Sequence, residues 1–219
     1  MLNNMRLNIV SIGSECDVKY QINKYLNINK ETDFFDWLIT DMVSVCDILS
    51  KDINTILTFP NIKLIGYKNR NAIVQLKNCN KIISMHDIPI NYSFNNIYSF
   101  ILKYKRRYNR LIELIKSNSK TYFIRRDNPL EKEIIKLMKI LNIINPNNNI
   151  TLILYISPYS SRTKNLGYIK KLKSQIPDLI DLSKGYEDSL FYNCNHLNNE
   201  GAKSFTSKLY SFTKDKIKL

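Results

Sequence analysis

"NIVSIGSECDVKYQINKYL", residues 8–26, joins two periodicities across a short polar turn. Asn8-Ile9-Val10-Ser11-Ile12 is an apolar run of strand length, whereas Val18, Ile22, Tyr25 and Leu26 recur at helical spacing. Gly13-Ser14-Glu15-Cys16 lies between them, so the stretch predicts strand, tight turn, helix, with Cys16 at the junction.

The pattern continues outward from there. "TDFFDWLITDMVSVCDILSKD" predicts an aromatic-packed turn at Asp33 to Trp37, then a helix with Met42, Val43, Cys46 and Leu49 on one stripe. "NAIVQL" and "KIISMHDI" read as two strands of a hairpin around Asn78-Cys79-Asn80. An amphipathic helix is expected over about 95–117, the strand "TYFIRRD" to Asp127, and a helix over Glu131 to Leu141 after the start signal Asn128-Pro129. "ITLILYIS" carries no charge, as a central strand buried on both faces requires. Beyond it come a polar loop, a further strand at "DLIDLS", and a loop, "FYNCNHLNNEG", leading into a final helix.

Strands alternating with helices predict an α/β fold: a three-layer sandwich around a mostly parallel central sheet, SGNH-hydrolase-like or flavodoxin-like. The 219 residues carry no Pro/Gly/Ser-rich divider, so a single domain over 1–219 is expected. No apolar run approaches the roughly 20 residues that span a bilayer, nor does the N-terminus carry a secretory signal pattern, and a cytoplasmic location is expected. Cys16, Cys46, Cys79 and Cys194 form no CxxC pair, so neither a metal site nor a disulfide framework is signalled.

The 33 basic residues exceed the 19 acidic ones to give +14, a balance that would ordinarily suggest nucleic acid or another polyanion as partner. Most of that charge is Lys in a chain rich in Lys, Asn and Ile throughout, the bias of an AT-rich coding sequence. Only "KYKRRYNR", Lys103 to Arg110, is locally dense, and it reads as the solvated basic face of a helix whose Phe100, Ile101, Tyr104, Tyr108 and Leu111 point inward.

Chemistry has few places to reside. A thiol at a helix N-terminus is acidified by the unpaired N–H groups and the helix dipole, which makes Cys16 a candidate nucleophile, although Glu15 and Asp17 oppose the effect. A buried packing cysteine is the alternative at such a turn. The two histidines, His86 in "SMHDIP" and His196 in "NCNHLNNEG", are the candidate bases, and Asn198 is a candidate N-cap of the last helix. Trp37, the only Trp, reads as a core anchor. Arg125-Arg126 at a strand end suits either a carboxylate or phosphate contact or an ordered salt bridge. No Gly-rich phosphate loop or ligand cluster implies a cofactor.

Two resemblances bear on these residues. "NCNHLNNEGAKSF" resembles the last block of SGNH (GDSL-like) hydrolases at His196, Leu197-Asn198 and Gly201-Ala202, but has Asn193 where that family has Asp. An Asn orients an imidazole without supplying negative charge. The first block departs too, with Gly13-Ser14-Glu15 in place of Gly-Asp-Ser. "SIGSECDV", "FFDWL", "ISMHDI", the basic-aromatic helix and "YFIRR", in that order, resemble a bacterial and viral family labelled papain-like cysteine peptidases. That resemblance marks Cys16 and His86 as a pair, with Asp36, Trp37 and Arg125 or Arg126 as further site residues.

The expectation is a hydrolase or acyl-transfer enzyme with Cys16 as nucleophile, His196 or His86 as base and Asn193 as orienter of His196. The N–H groups of the Gly13 to Cys16 turn would form the oxyanion hole, and Asp87 beside His86 is a further contact. The substrate is expected to be a small molecule, a peptide, or a glycan-linked ester or amide. A non-catalytic glycan- or anion-binding module on an SGNH-like scaffold, and a basic polyanion binder, are the alternatives.

Overall fold

The computed structural model describes residues 8–14, 18–19, 31–117, 119–126, 129–155, 180–181, 191–193 and 196–197. Four strands form a parallel sheet: β1 (Asn8–Ser11), β6 (Thr121–Arg126), β7 (Ile150–Tyr155) and β8 (Ile180–Asp181), side by side in that order. Their register sets Val10 against Phe123, Phe123 against Leu152 and Ile153 against Ile180. All six residues of β6 are buried, as a strand covered on both faces requires.

A second sheet is antiparallel, in the order β2 (Leu38–Thr40), β5 (Ile82–Pro89), β4 (Asn71–Leu76), β3 (Ile62–Lys68). It contains the expected hairpin of β4 and β5, extended by one strand on each side. The fold is thus α/β with a parallel sheet, as expected, and strands two to five stand apart from that sheet. β2 spans only three residues and β3 mixes exposed Lys63 and Lys68 with Ile65 and Tyr67, so neither shows the apolar run that marks a buried strand.

The described helices are α1 (Met42–Ser50), α2 (Ile53–Ile56), α3 (Phe94–Lys116) and α4 (Glu131–Ile144), with a 3-10 turn at Phe59–Asn61. Asp41 caps α1 by accepting from Ser44 N at 2.8 Å, and Ser93 caps α3 by accepting from Asn96 N at 3.3 Å. α1 packs on α4, where the Cys46 thiol faces the Glu133 carbonyl at 3.7 Å. One continuous cluster of buried side chains, including Val10, Phe34, Val74, Tyr104, Phe123 and Leu137, draws on both sheets.

The C-terminal segment read as a loop contains a short antiparallel pair, β9 (Phe191–Asn193) with β10 (His196–Leu197). Aromatic Phe191 and Tyr192 carry the β propensity that the asparagines around them obscure. The expected final helix, with Asn198 as its cap, lies outside the described residues, as do Glu15, Cys16 and Asp17. No helix among the described residues is long and apolar enough to cross a membrane.

Candidate functional site

The turn that precedes Cys16 is built where the two sheets meet. The β1–β6 ladder runs on to Ile12, whose N–H donates to the Ile124 carbonyl at 2.9 Å. Gly13 then adopts φ +87°, in the left-handed region that glycine enters without penalty. A side chain there would also lack room: a Cβ would lie 2.0 Å from Thr40 Oγ1 and 3.0 Å from Arg125 Nη1.

Arg125 lies beneath this turn, wholly buried. Its Nη1 donates to the Ile12 carbonyl at 2.7 Å and to Thr40 Oγ1 at 3.2 Å, and its Nη2 donates to the Thr40 carbonyl at 2.9 Å. The guanidinium fork therefore ties the end of β1 to β2, that is, one sheet to the other. Ser14 is held from above: its carbonyl accepts from Thr40 N at 2.9 Å and its hydroxyl donates to the Arg126 carbonyl. Gly13 N donates to Ser11 Oγ at 3.3 Å, whereas the Ser14 N–H has no partner among the described residues.

Gly13, Ser14, Arg125 and Arg126 are thus brought together, the Arg125 guanidinium as donor to backbone carbonyls and the Arg126 main chain as acceptor from Ser14. Arg125 directs both terminal nitrogens at main chain, and Arg126 supplies its own carbonyl to Ser14 while its side chain is nearly buried. Thr40, which meets Gly13, Ser14 and Arg125, had no signal in the sequence, since nothing in "LIT" marks its hydroxyl.

Asp36 is buried in the turn before β2 and pairs with Lys19, Nζ to Oδ2 at 2.9 Å. Lys19 also donates to the Glu31 carbonyl at 2.6 Å, and Asp33 N donates to Asp36 Oδ2 at 2.6 Å. Burial pushes the Asp36 carboxyl up to about 7, against the pull of the Lys19 ammonium. Val18 and Lys19 are helical, so this pair fastens residues 18–19 to the Phe-Asp-Trp segment. Phe34 and Phe35 are the wholly buried anchors of that segment, and Trp37, read as the anchor, is half-buried.

His86 is exposed on β5. Asp87 beside it turns inward and accepts from Ser84 Oγ at 2.9 Å, Tyr104 OH at 2.6 Å and Lys103 Nζ. Burial alone would raise this carboxyl, but donation from Lys103 and Tyr104 holds it below the usual carboxylate range. The basic stretch of α3 is therefore not one solvated face. Arg106 is exposed, but Lys103 serves Asp87, Arg107 is buried and Arg110 donates to the Thr32 carbonyl.

His196 and Asn193 stand opposite each other as backbone partners of the β9–β10 pair. The other cysteines described, Cys46 and Cys79, are buried, and burial pushes both thiols up to about 11. No group of three or more His, Cys, Asp or Glu side chains able to hold a metal occurs among the described residues.

An α/β protein whose first parallel strand ends in a clamped Gly-Ser turn before a cysteine is the class these features define. The chain belongs to the family described as "Putative papain-like cysteine peptidase (DUF1796)", which it matches over residues 7–156. It is also similar to "Uncharacterized protein R408" of Acanthamoeba polyphaga mimivirus, 27% identical over 199 residues that cover 80% of this chain and 89% of the viral one. No solved structure matches the chain at a significant level. The family match ends before Asn193 and His196 and so does not extend to the SGNH-like block.

Proposed function

We propose that the protein is a cysteine hydrolase or acyl-transfer enzyme in which Cys16 is the nucleophile, within one α/β domain over residues 1–219. The observation that supports this most is the rigid turn just before it: Arg125, Thr40 and Arg126 hold Gly13-Ser14 at the carboxyl end of β1, where ligands bind in α/β sheets. Membership of the cysteine peptidase family agrees with it.

The thiolate of Cys16 attacks the substrate carbonyl, and the oxyanion that forms is met by N–H groups of the turn. Gly13 N–H is committed to Ser11 Oγ, so Ser14 N–H is the first donor of this hole. His196, oriented by Asn193, or His86 takes the thiol proton and returns it to the departing amine or alkoxide, leaving a thioester on Cys16. Water then releases the acid, or an acceptor takes the acyl group. Trp37, Asp36 and Asp87 lie on the segments that frame the substrate, and Asn198 follows His196. The acyl donor is a peptide or a glycan-linked ester or amide.

Reaction with p-nitrophenyl acetate tests this directly. Intact-mass and peptide mapping should show an added acetyl group on Cys16, absent in Cys16→Ala and slowed in His196→Ala or His86→Ala. Acetylation spread over lysines, with none on Cys16, would contradict it.

A further inference from the structure

Lys103, Arg107 and Arg110 occupy positions i, i+4 and i+7 of α3 and so share one face of that helix. Two of the three have partners. Lys103 pairs with Asp87, and Arg110 donates to the Thr32 carbonyl with its Nε 3.8 Å from the exposed carboxylate of Glu31.

Arg107 between them has no carboxylate. Only 9% of it is exposed, its guanidinium carbon sits 4.8 Å from the centre of the Tyr104 ring, and its Nη1 is closed to solvent without a hydrogen-bond partner. Burying Nη1 of a cation without a hydrogen-bond partner is unfavourable, and a cation–π contact offsets that only in part. The cluster therefore lacks one negative charge. Among the described residues, Lys103, Arg107 and Arg110 face only Asp87 and Glu31, and the side chain left over is the most buried of the three cations.

We propose that Arg107 is the centre of an oxyanion-binding site, taking a phosphate or carboxylate group between α3 and the segment that leads to Phe34. A planar guanidinium presents parallel N–H donors that match two oxygens of such a group, which an ammonium does not. The Tyr104 ring backs the guanidinium, and its hydroxyl is already committed to Asp87, so the ring supplies a fixed wall and does not compete for the anion. The site is discrete, built on a buried arginine, and is distinct from the exposed charge of Arg106 that a polyanion would meet. It does not depend on the chemistry of Cys16.

The test is thermal unfolding of the full chain titrated with inorganic phosphate and, separately, acetate, at ionic strength held constant with chloride. The wild type should gain a saturable rise in Tm with at least one probe, and the probe with the lower half-saturation identifies the oxyanion. Arg107→Met should abolish the rise while unfolding no lower than wild type in chloride alone, because it replaces an unpaired charge with apolar volume. Arg106→Met should keep the rise. Arg107→Lys, which retains charge but not the fork, should weaken half-saturation roughly tenfold, and it serves should the Met variant not fold. No saturable rise in wild type with either probe, or a rise undiminished in Arg107→Met or Arg107→Lys, would overturn the proposal.

Discussion

Lys19 and Asp36 form an ion pair closed off from solvent, Nζ to Oδ2 at 2.9 Å, with side chains 1% and 0% exposed. Burying two charges costs about as much as their attraction returns, so such a pair contributes little net stability, but removing one partner is expensive. Its effect here is positional. One end sits three residues beyond Cys16 in the chain, and the other in the Phe-Asp-Trp segment that leads into β2 and hence to Thr40.

The raised Asp36 pKa makes this pair visible in the pH dependence of stability. Between the ordinary carboxylate value and about 7, the folded protein holds a proton that the unfolded chain has lost. Raising the pH through that window therefore destabilises the fold, by up to about 1.4 kcal/mol per pH unit. Asp36→Asn lacks this decline, so the stability gap between variant and wild type should narrow from pH 4 to 7 and stay level above. Chemical denaturation across this range checks it, and a gap that widens as pH rises would contradict it.

Gly13→Ala should destabilise the protein by more than about 2 kcal/mol, from the left-handed φ and the overlap with Thr40 Oγ1. Thr40→Ala in the same chain removes the overlap but not the backbone strain, so the double variant should recover part of the loss. Urea midpoints of the three variants separate the two contributions.

Arg125→Met leaves the Ile12 and Thr40 carbonyls buried without their donors. Each such group costs about 1–3 kcal/mol, so a loss of roughly 3 kcal/mol is expected. Arg125→Lys should recover less than half, because one ammonium does not span both carbonyls and Thr40 Oγ1 with the geometry of a fork. Full recovery by Lys would show that charge alone is required there.

Asp87 contributes on the acid side. Its pKa is held below that of the unfolded chain, so its stabilisation is complete above about pH 4 and is lost as pH falls through the folded value. Asp87→Asn should be less stable than wild type at pH 7 and should approach it below pH 4. Parallel acid unfolding curves of the two proteins would contradict this.

The helices and parallel strands were legible because their apolar spacing is regular. β6, β7, α3 and α4 fall within a few residues of the expected spans, and the strand at "DLIDLS" is present as Ile180–Asp181. β2 and β3 were not legible, since a three-residue strand has no period and β3 is half exposed. The sequence offers Gly13, Ser14, Asp36 and Arg125 as substrate-binding candidates; the structure shows the bonds that fix each of them, and their partners carry no signal in the sequence. Lys19 and Arg107 are charged residues on helices, which sequence patterning assigns to solvent. Only the three-dimensional packing of Asp36 and Tyr104 reveals that they are buried.

Catalysis as proposed depends on the thiol of Cys16, and the protein supplies its own references. Cys46 and Cys79 are buried with thiols pushed up to about 11, so both should alkylate slowly below pH 9. Iodoacetamide labelling read site by site by mass spectrometry, from pH 5 to 9, on wild type, His86→Ala and His196→Ala, is the most direct measurement. Rapid labelling of Cys16 below pH 7, lost in one of the two histidine variants, is expected and identifies the base. Labelling of Cys16 no faster than that of Cys46 or Cys79 would contradict it.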